Sequence, residues 1–319
     1  LEWVLNGGLH DRFHTQYQRL YPEMEYVSGA NAILSWQKAT KSMGLMALDI
    51  SPEGFLTGRV DFIGRAKSIW SPRILETLDF LPARDTAAFP TFDPIGSFLV
   101  NATVSSKASV GMKLMIGYAK NRQKALDLIA KLLKPRITRG VALPERKKMP
   151  YLIGHGEIPQ GTPQPYSEFI DNGNKLRVHT PYTPRPIDHA VSNALHSVMV
   201  TNRGLHTSCN GNSQQNRLTP DWPDTVTREI PSEAIYLYDV DREEWYSPTY
   251  HPLNDPQAKY ESEFGVDGTA VFRMSHKTLA TELTVFVPPQ DPTGVYLLTV
   301  RNQDEIGRAS CRERVYHPV

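Results

Sequence analysis

The sequence predicts a mainly β protein, built from antiparallel strands packed as β-sandwiches and carrying one amphipathic helix. Short segments rich in β-branched and aromatic residues recur at near-regular spacing between clusters of Pro, Gly, Asn and Asp. That pattern is typical of a sandwich. The composition points the same way, since the 319 residues include 25 Pro, 21 Gly, 14 Tyr and 5 Trp.

The first third of the chain contains several predicted strands. Residues 1–5 resemble the end of a strand, and residues 44–50 form a continuous apolar run that predicts a buried one. Residues 58–64 alternate with a period of two and predict a further strand. Residues 97–104 and 110–118 are separated by a short polar connection. We therefore expect them to pair as an antiparallel hairpin.

The period of the apolar residues changes after residue 120 and predicts a helix. Asn121 is a suitable N-cap, and Pro135 stops the helical pattern. An apolar stripe with helical spacing lies between them, at Ala125, Leu126, Leu128, Ile129, Leu132 and Leu133.

Composition divides the chain into four parts. Residues 1–134 and 166–305 carry the strand patterns, whereas residues 135–165 are basic and rich in Pro and Gly. The sequence favours a solvated linker there over an anion site. Residues 306–319 resemble a translated sequencing adapter, and we expect them not to be native protein. Without them Cys209 is the one cysteine, which fits a reducing compartment.

The second strand-rich part begins with predicted strands at 194–201 and 233–240. The latter is followed by an acidic turn and a short aromatic strand at residue 244. Three further strands are predicted at residues 269–276, 278–287 and 294–301. Along 278–287 the positions expected to point outwards are not all polar, so a further layer is expected to cover some of them.

Several function classes find no support in the sequence. The formal net charge of +1 provides no electrostatic attraction for nucleic acid or an anionic membrane. There is no apolar run of the ~20 residues that a membrane-spanning helix needs. Residues 239–243 resemble the start of a calcium loop, but Glu244 stands where that loop requires Gly. A charged hairpin turn is the better interpretation, and no metal or other cofactor is expected.

One loop has the composition of a sugar-binding site. It combines amide, guanidinium, carboxylate and indole groups within nine positions, at Asn216, Arg217, Asp221, Trp222 and Asp224. Such groups suit a ligand with hydroxyls and an apolar C–H face. In the alternative interpretation, Trp222 fills the core and Arg217 pairs with a neighbouring carboxylate.

Acidic side chains for glycoside chemistry are also present in this region. They are Asp221, Asp224, Glu229 and Glu233. The separation of two such carboxyl groups determines what they can do. The sequence does not reveal that separation, so no catalytic residue is assigned.

The motifs around this loop resemble a known domain. Residues 216–222 (NRLTPDW), 233–241 (EAIYLYDVD) and 245–249 (WYSPT) are similar to the supersandwich domain of glycoside hydrolase family 94, formerly glycosyltransferase family 36. That group contains cellobiose- and chitobiose-type phosphorylases and the cyclic β-1,2-glucan synthases. Residues 282–292 (ELTVFVPPQDP) and 298–302 (LTVRN) resemble the glucan synthase branch.

The first part of the chain resembles later landmarks of the same domain. These are residues 2–5 (EWVL), 61–65 (DFIGR), 92–94 (FDP) and the strand and helix at 110–133. The resemblance implies a galactose-mutarotase-like supersandwich. It further implies that the chain holds the C-terminal part of one sandwich and then the N-terminal part of a second, in tandem.

The resemblance also implies a function. The chain would be a fragment of a β-glucan synthase or phosphorylase, namely the non-catalytic, carbohydrate-binding region that supports a missing helical (α/α)6 catalytic domain. Implied partners are a β-glucan or oligosaccharide, that helical domain and a second copy of the chain. The implied location is cytoplasmic, either free or as the cytoplasmic part of an inner-membrane enzyme. The alternatives are a stand-alone carbohydrate-binding or structural sandwich and an unrelated adhesion module.

Overall fold

The fold is known from a computed structural model. It describes residues 3, 5, 22–37, 41–64, 67–84, 86–91, 93–134, 161–162, 164–213, 216–219 and 231–304. The predicted linker at 135–165 falls almost wholly outside these ranges, and the predicted foreign tail at 306–319 lies outside them completely.

Nineteen strands are found in the described part of the chain. They are β1 (Pro22–Val27), β2 (Ala32–Gln37), β3 (Ser42–Leu48), β4 (Gly54–Gly58), β5 (Leu81–Pro82), β6 (Ala87–Pro90), β7 (Pro94–Leu99), β8 (Ser109–Ala119), β9 (Ser167–Ile170), β10 (Lys175–Val178), β11 (Asp188–Ser192), β12 (Ser197–Thr201), β13 (Gly204–Cys209), β14 (Leu237–Asp239), β15 (Glu244–Tyr246), β16 (Lys259–Gly265), β17 (Thr269–His276), β18 (Leu279–Phe286) and β19 (Thr293–Asn302). The α-helices are α1 (Arg59–Ile63), α2 (Ile74–Thr77) and α3 (Arg122–Leu132).

The strands confirm the mainly β, antiparallel fold class. Eleven of them form one sheet in the order β6-β1-β2-β3-β8-β19-β18-β17-β16-β10-β9. Three smaller sheets, β11-β12-β13, β14-β15 and β5-β4-β7, complete the architecture. All the described strand pairs are antiparallel.

The large sheet contains strands from both strand-rich parts of the chain, and these meet where β8 pairs with β19. The register runs from Ser109 opposite Arg301 to Gly117 opposite Thr293. The hydroxyl of Thr293 donates a 2.6 Å hydrogen bond to the carbonyl of Ile116. The two parts therefore share one sheet. Their origin as parts of two tandem sandwiches stays a prediction.

The main core lies between one face of the large sheet and the three small sheets. It contains Ile116 and Val300 from the large sheet, Val198 from β12, Phe98 from β7 and Leu237 from β14. On the opposite face, α3 packs over β3 and β8 through a separate apolar cluster. The opposite face at β16–β18 has no such helix among the described elements, and it carries charged side chains.

The predicted helix is confirmed as α3. Its N-cap is Asn121, whose side-chain oxygen accepts a 3.0 Å hydrogen bond from the backbone N–H of Lys124. This bond satisfies one of the donors that a helix N-terminus leaves unpaired. Ala125, Ile129 and Leu133 from the predicted stripe are buried.

Two predicted strand arrangements are wrong. Within the predicted strand at 58–64, Arg59–Ile63 form α1, whereas Gly58 ends β4. The adjacent Phe62 and Ile63 are both buried while Val60 is 62% exposed, which strand alternation does not produce. The expected hairpin of 97–104 with 110–118 is absent. β7 pairs with β4 in a small sheet, whereas β8 lies in the large sheet between β3 and β19.

The predicted strand at 233–240 is much shorter than expected. β14 covers Leu237–Asp239, and every residue from 233 to 239 is buried. Layers on both sides therefore bury the expected polar face. The acidic turn is confirmed as a hairpin, since the carboxylate of Asp239 accepts hydrogen bonds from the backbone N–H groups of Asp241 and Arg242, at 3.0 and 3.1 Å. β15 follows as predicted.

The last three predicted strands are confirmed as β17, β18 and β19. In β18 the burial alternates strictly: Leu279, Thr281, Leu283 and Val285 are buried. The residues between them, from Ala280 to Phe286, are half-buried on the opposite face.

The geometry of the β8–β19 pairing predicts how substitution of two glycines on one face of β8 changes the stability of the protein. A Cβ at position 117 would lie 2.7 Å from the carbonyl oxygen of Pro292, whereas at position 111 the nearest atom would be 3.7 Å away. We expect Gly117→Ala to lower the free energy of unfolding by about 1–3 kcal/mol through overpacking. Gly111→Ala should leave it unchanged or raise it by up to about 1 kcal/mol. Urea unfolding measures both, and equal effects would contradict this junction.

Candidate functional site

The structure describes two of the five residues predicted to bind sugar. Asn216 is exposed, and its neighbour Arg217 is 5% exposed. The Nε of Arg217 donates a 2.8 Å hydrogen bond to the carbonyl of Ser213, and its backbone bridges to Cys209. Arg217 thus helps to hold its own loop. Asp221, Trp222 and Asp224 lie outside the described residues, so the sugar-binding loop stays a prediction.

Glu233, one of the acids noted for glycoside chemistry, lies in the core. It is 1% exposed, and its Oε2 accepts a 2.5 Å hydrogen bond from the hydroxyl of Tyr296. Burial raises the pKa of the Glu233 carboxyl, and the hydrogen bond from Tyr296 opposes that rise. A carboxyl group enclosed in this way has no access to a polysaccharide.

A groove of about 700 Å³ lies on the face of the large sheet that points away from the core. Its floor is formed by β16, β17 and β18, and one wall is formed by residues 179–182. We call it the β16–β18 groove. No local sequence pattern indicates it, because its lining residues come from segments as far apart as Gly161 and Gln303.

Strand alternation produces the floor of the groove. In one cross-strand row Lys259 lies opposite Ser275, Ser275 opposite Ala280, and Ala280 opposite Arg301. Side chains in such a row point to one face of a sheet. The two small residues leave a depression, and the two long cations stand at its sides.

The next row on the same face is charged. Glu261 lies opposite Arg273, and Arg273 lies opposite Glu282. The Nε of Arg273 donates a 3.0 Å hydrogen bond to the Oε2 of Glu282, and its Nη1 lies 3.5 Å from the Oε1 of Glu261. The guanidinium thus holds two carboxylates of the groove in fixed positions.

A further carboxylate lies in the next cross-strand row on the same face, where Glu263 is opposite Arg177. Glu263 accepts a 2.8 Å hydrogen bond from the Nη2 of Arg177 and lies 3.0 Å from the Nη1 of Arg273. Burial alone would raise the pKa of the Glu263 carboxyl, but the two guanidinium groups lower it overall. Conversely, the hydrogen bond to Glu263 raises the pKa of Arg177. Glu263 therefore stays ionised, and its two ion pairs hold it and Arg273 in position.

The wall of the groove is held by a network behind it. The side chain of Asn202 donates a 3.1 Å hydrogen bond to the carbonyl of Thr180. Arg203 donates to the carbonyls of Pro181 and Thr183, at 3.1 and 3.0 Å. The ring of Tyr182 packs edge-on against Tyr250, with the centroids 5.4 Å apart. These contacts hold the wall in one position without a ligand.

Within the described ranges, no cluster of three or more His, Cys, Asp or Glu residues could hold a metal ion. Among the same residues, no helix combines the length and the apolar character needed to cross a bilayer.

Comparison with known proteins identifies a domain family. The family model described as "Glycosyl hydrolase 94, supersandwich domain" matches residues 1–135 and 175–309. These two segments contain all the described strands except β9. No curated protein matches the chain.

The burial of Glu233 predicts how the stability of the protein depends on pH. Its folded-state pKa lies above the ordinary value of 4.5, so the folded protein keeps a proton that the unfolded chain releases. The contribution of this group to the free energy of unfolding is therefore fully present below about pH 4.5, and it falls as the pH rises towards the folded-state pKa. We expect Glu233→Gln, which can still accept from Tyr296, to stabilise the protein at pH 7 and to flatten the pH dependence.

Denaturant unfolding at a series of pH values tests this expectation. Tyr296→Phe is the matched control: it leaves the carboxyl buried without its donor, and should destabilise the protein by about 1–3 kcal/mol. A Glu233→Gln variant with the wild-type pH dependence would show that this carboxyl is not protonated in the folded state.

Proposed function

The chain belongs to the glycosyl hydrolase 94 supersandwich family, and from this premise we propose that it is part of a carbohydrate-active enzyme of the β-glucan synthase or phosphorylase type. The family match over two long segments is the observation that carries the proposal. The role we assign to the chain is non-catalytic. It binds carbohydrate and supports a helical catalytic domain encoded elsewhere in the same reading frame.

The chemistry we assign to the whole enzyme is transfer of a hexosyl group. In the phosphorolytic direction a carboxylic acid protonates the glycosidic oxygen. An oxygen of inorganic phosphate attacks the anomeric carbon on the opposite face, so the sugar–oxygen bond breaks and a sugar phosphate forms with inversion. The acid is expected in the helical domain.

The positions of the described carboxylates support a non-catalytic role. Glu233 is enclosed in the core, and the groove carboxylates Glu261 and Glu282 are engaged by Arg273. The two groove carboxylates are suited to accepting hydrogen bonds from sugar hydroxyls. The cytoplasmic location and the β-glucan substrate belong to this proposal as well.

Expression of the uninterrupted reading frame tests the proposal. The complete protein, incubated with inorganic phosphate and β-linked gluco-oligosaccharides of different linkages, should release glucose 1-phosphate or redistribute the chain lengths. Mass spectrometry and a coupled phosphate-ester assay measure the two outcomes. The 319-residue chain alone, as the control, should do neither.

Two results would oppose this function. A reading frame without a helical domain would favour the stand-alone carbohydrate-binding or structural sandwich. A complete protein that contains such a domain, yet leaves every tested β-linked glucan unchanged, would remove the synthase and phosphorylase assignment.

A further inference from the structure

We propose that the β16–β18 groove is a binding site for a short, uncharged β-linked oligosaccharide. The sugar class rests on the proposed function, whereas the site itself rests on the geometry of the groove. This site is separate from the loop at Asn216 and Arg217, none of whose residues line it.

The size and shape of the groove suit such a ligand. A volume of about 700 Å³ falls within the roughly 300–1,000 Å³ typical of small-molecule sites. The floor at Ser275 and Ala280 is low because both side chains are small, and the neighbouring rows rise above it. A flat, extended molecule can therefore lie across the strands.

The charges that line the groove nearly cancel one another. Lys259, Arg273 and Arg301 face Glu261 and Glu282, and Arg273 is already paired with both carboxylates. A phosphorylated ligand would meet these carboxylates, and a cationic one would meet the guanidinium groups. A neutral polyol can donate hydrogen bonds to the carboxylates and accept hydrogen bonds from the guanidinium groups without such repulsion.

The groove also has an apolar side. Pro181 and Tyr182 lie in the wall, and Ala280 lies in the floor. The C–H face of a pyranose packs on surfaces of this kind, as other apolar faces do on aromatic rings. Polar groups and an apolar wall in one groove are the combination that orients a sugar ring.

The site is ordered before any ligand binds. Asn202 and Arg203 fix the wall through its backbone carbonyls, and Arg273 fixes the carboxylates. Partly exposed ion pairs of this kind contribute little to stability, because solvent screens them. Their main effect here is to set hydrogen-bonding groups in position, which reduces the entropy cost of binding.

Isothermal titration calorimetry with β-linked glucose disaccharides and trisaccharides tests the site on the 319-residue chain. We expect Kd values in the millimolar range or tighter. Ala280→Trp fills the floor and should weaken binding about tenfold or more. The matched control is Thr284→Trp, on the same face of β18 but outside the groove, and it should bind as the wild type does.

A gentler pair of variants keeps the test valid should a tryptophan disturb folding. Glu282→Gln removes an acceptor charge from the groove and should weaken binding about fivefold. Asp127→Asn removes a comparably exposed carboxylate on α3, outside the groove, and should change nothing. Circular dichroism and thermal unfolding verify that all four variants are folded.

Three outcomes would overturn the site: no binding by the wild type, unchanged binding by both groove variants, or stronger binding of inorganic phosphate than of sugar. They are distinct from failure of the proposed function. The groove is tested by binding to this chain, whereas the enzyme is tested by product formation from the complete reading frame.

Discussion

The pairing of β8 with β19 is the interaction on which the rest of the structure depends. It is the single strand pairing that joins the strands of residues 1–134 to those of residues 166–305 within the described large sheet. Unpaired, β8 would expose an edge of eleven residues in the middle of an apolar sheet, and such edges invite association with other chains. Backbone hydrogen bonds therefore make one body from two segments that each match one domain family.

This single sheet explains the distribution of the remaining features. One face is covered by the three small sheets and holds the main core. The other face is covered by α3 at β3 and β8, where its side chains are apolar. At β16–β18 the same face is left to charged residues. Ordered ion pairs form there because cross-strand neighbours alternate in sign, as Glu261, Arg273 and Glu282 do.

The carboxyl groups of the described residues occur in two different environments, the core and the groove. Glu233 pairs with Tyr296 inside the core, where a carboxyl group contributes to packing and not to sugar chemistry. Other carboxylates, those of Glu261 and Glu282, lie in the groove beside the Arg273 guanidinium that holds them. The proposed sugar site rests on two observations, the match to a family of carbohydrate-active enzymes and the balanced charge of the groove.

The helices and strands that depend on a local sequence pattern could be predicted from the sequence. The helix at Asn121 and the strands β17, β18 and β19 were predictable because capping and alternation are encoded within a few residues. The family was predictable from motifs such as residues 216–222 and 233–241.

The remaining features depend on contacts between residues that are far apart in the sequence. β7 and β8 are neighbours in sequence, yet β7 pairs with β4 whereas β8 pairs with β3 and β19, so the apolar side chains of the two strands are buried in separate layers. Arg59–Ile63 form a helix in which the adjacent Phe62 and Ile63 are both buried. The groove exists only because strands β16–β19 and the wall at residues 179–182 meet in space, and no periodicity along the chain indicates such a meeting.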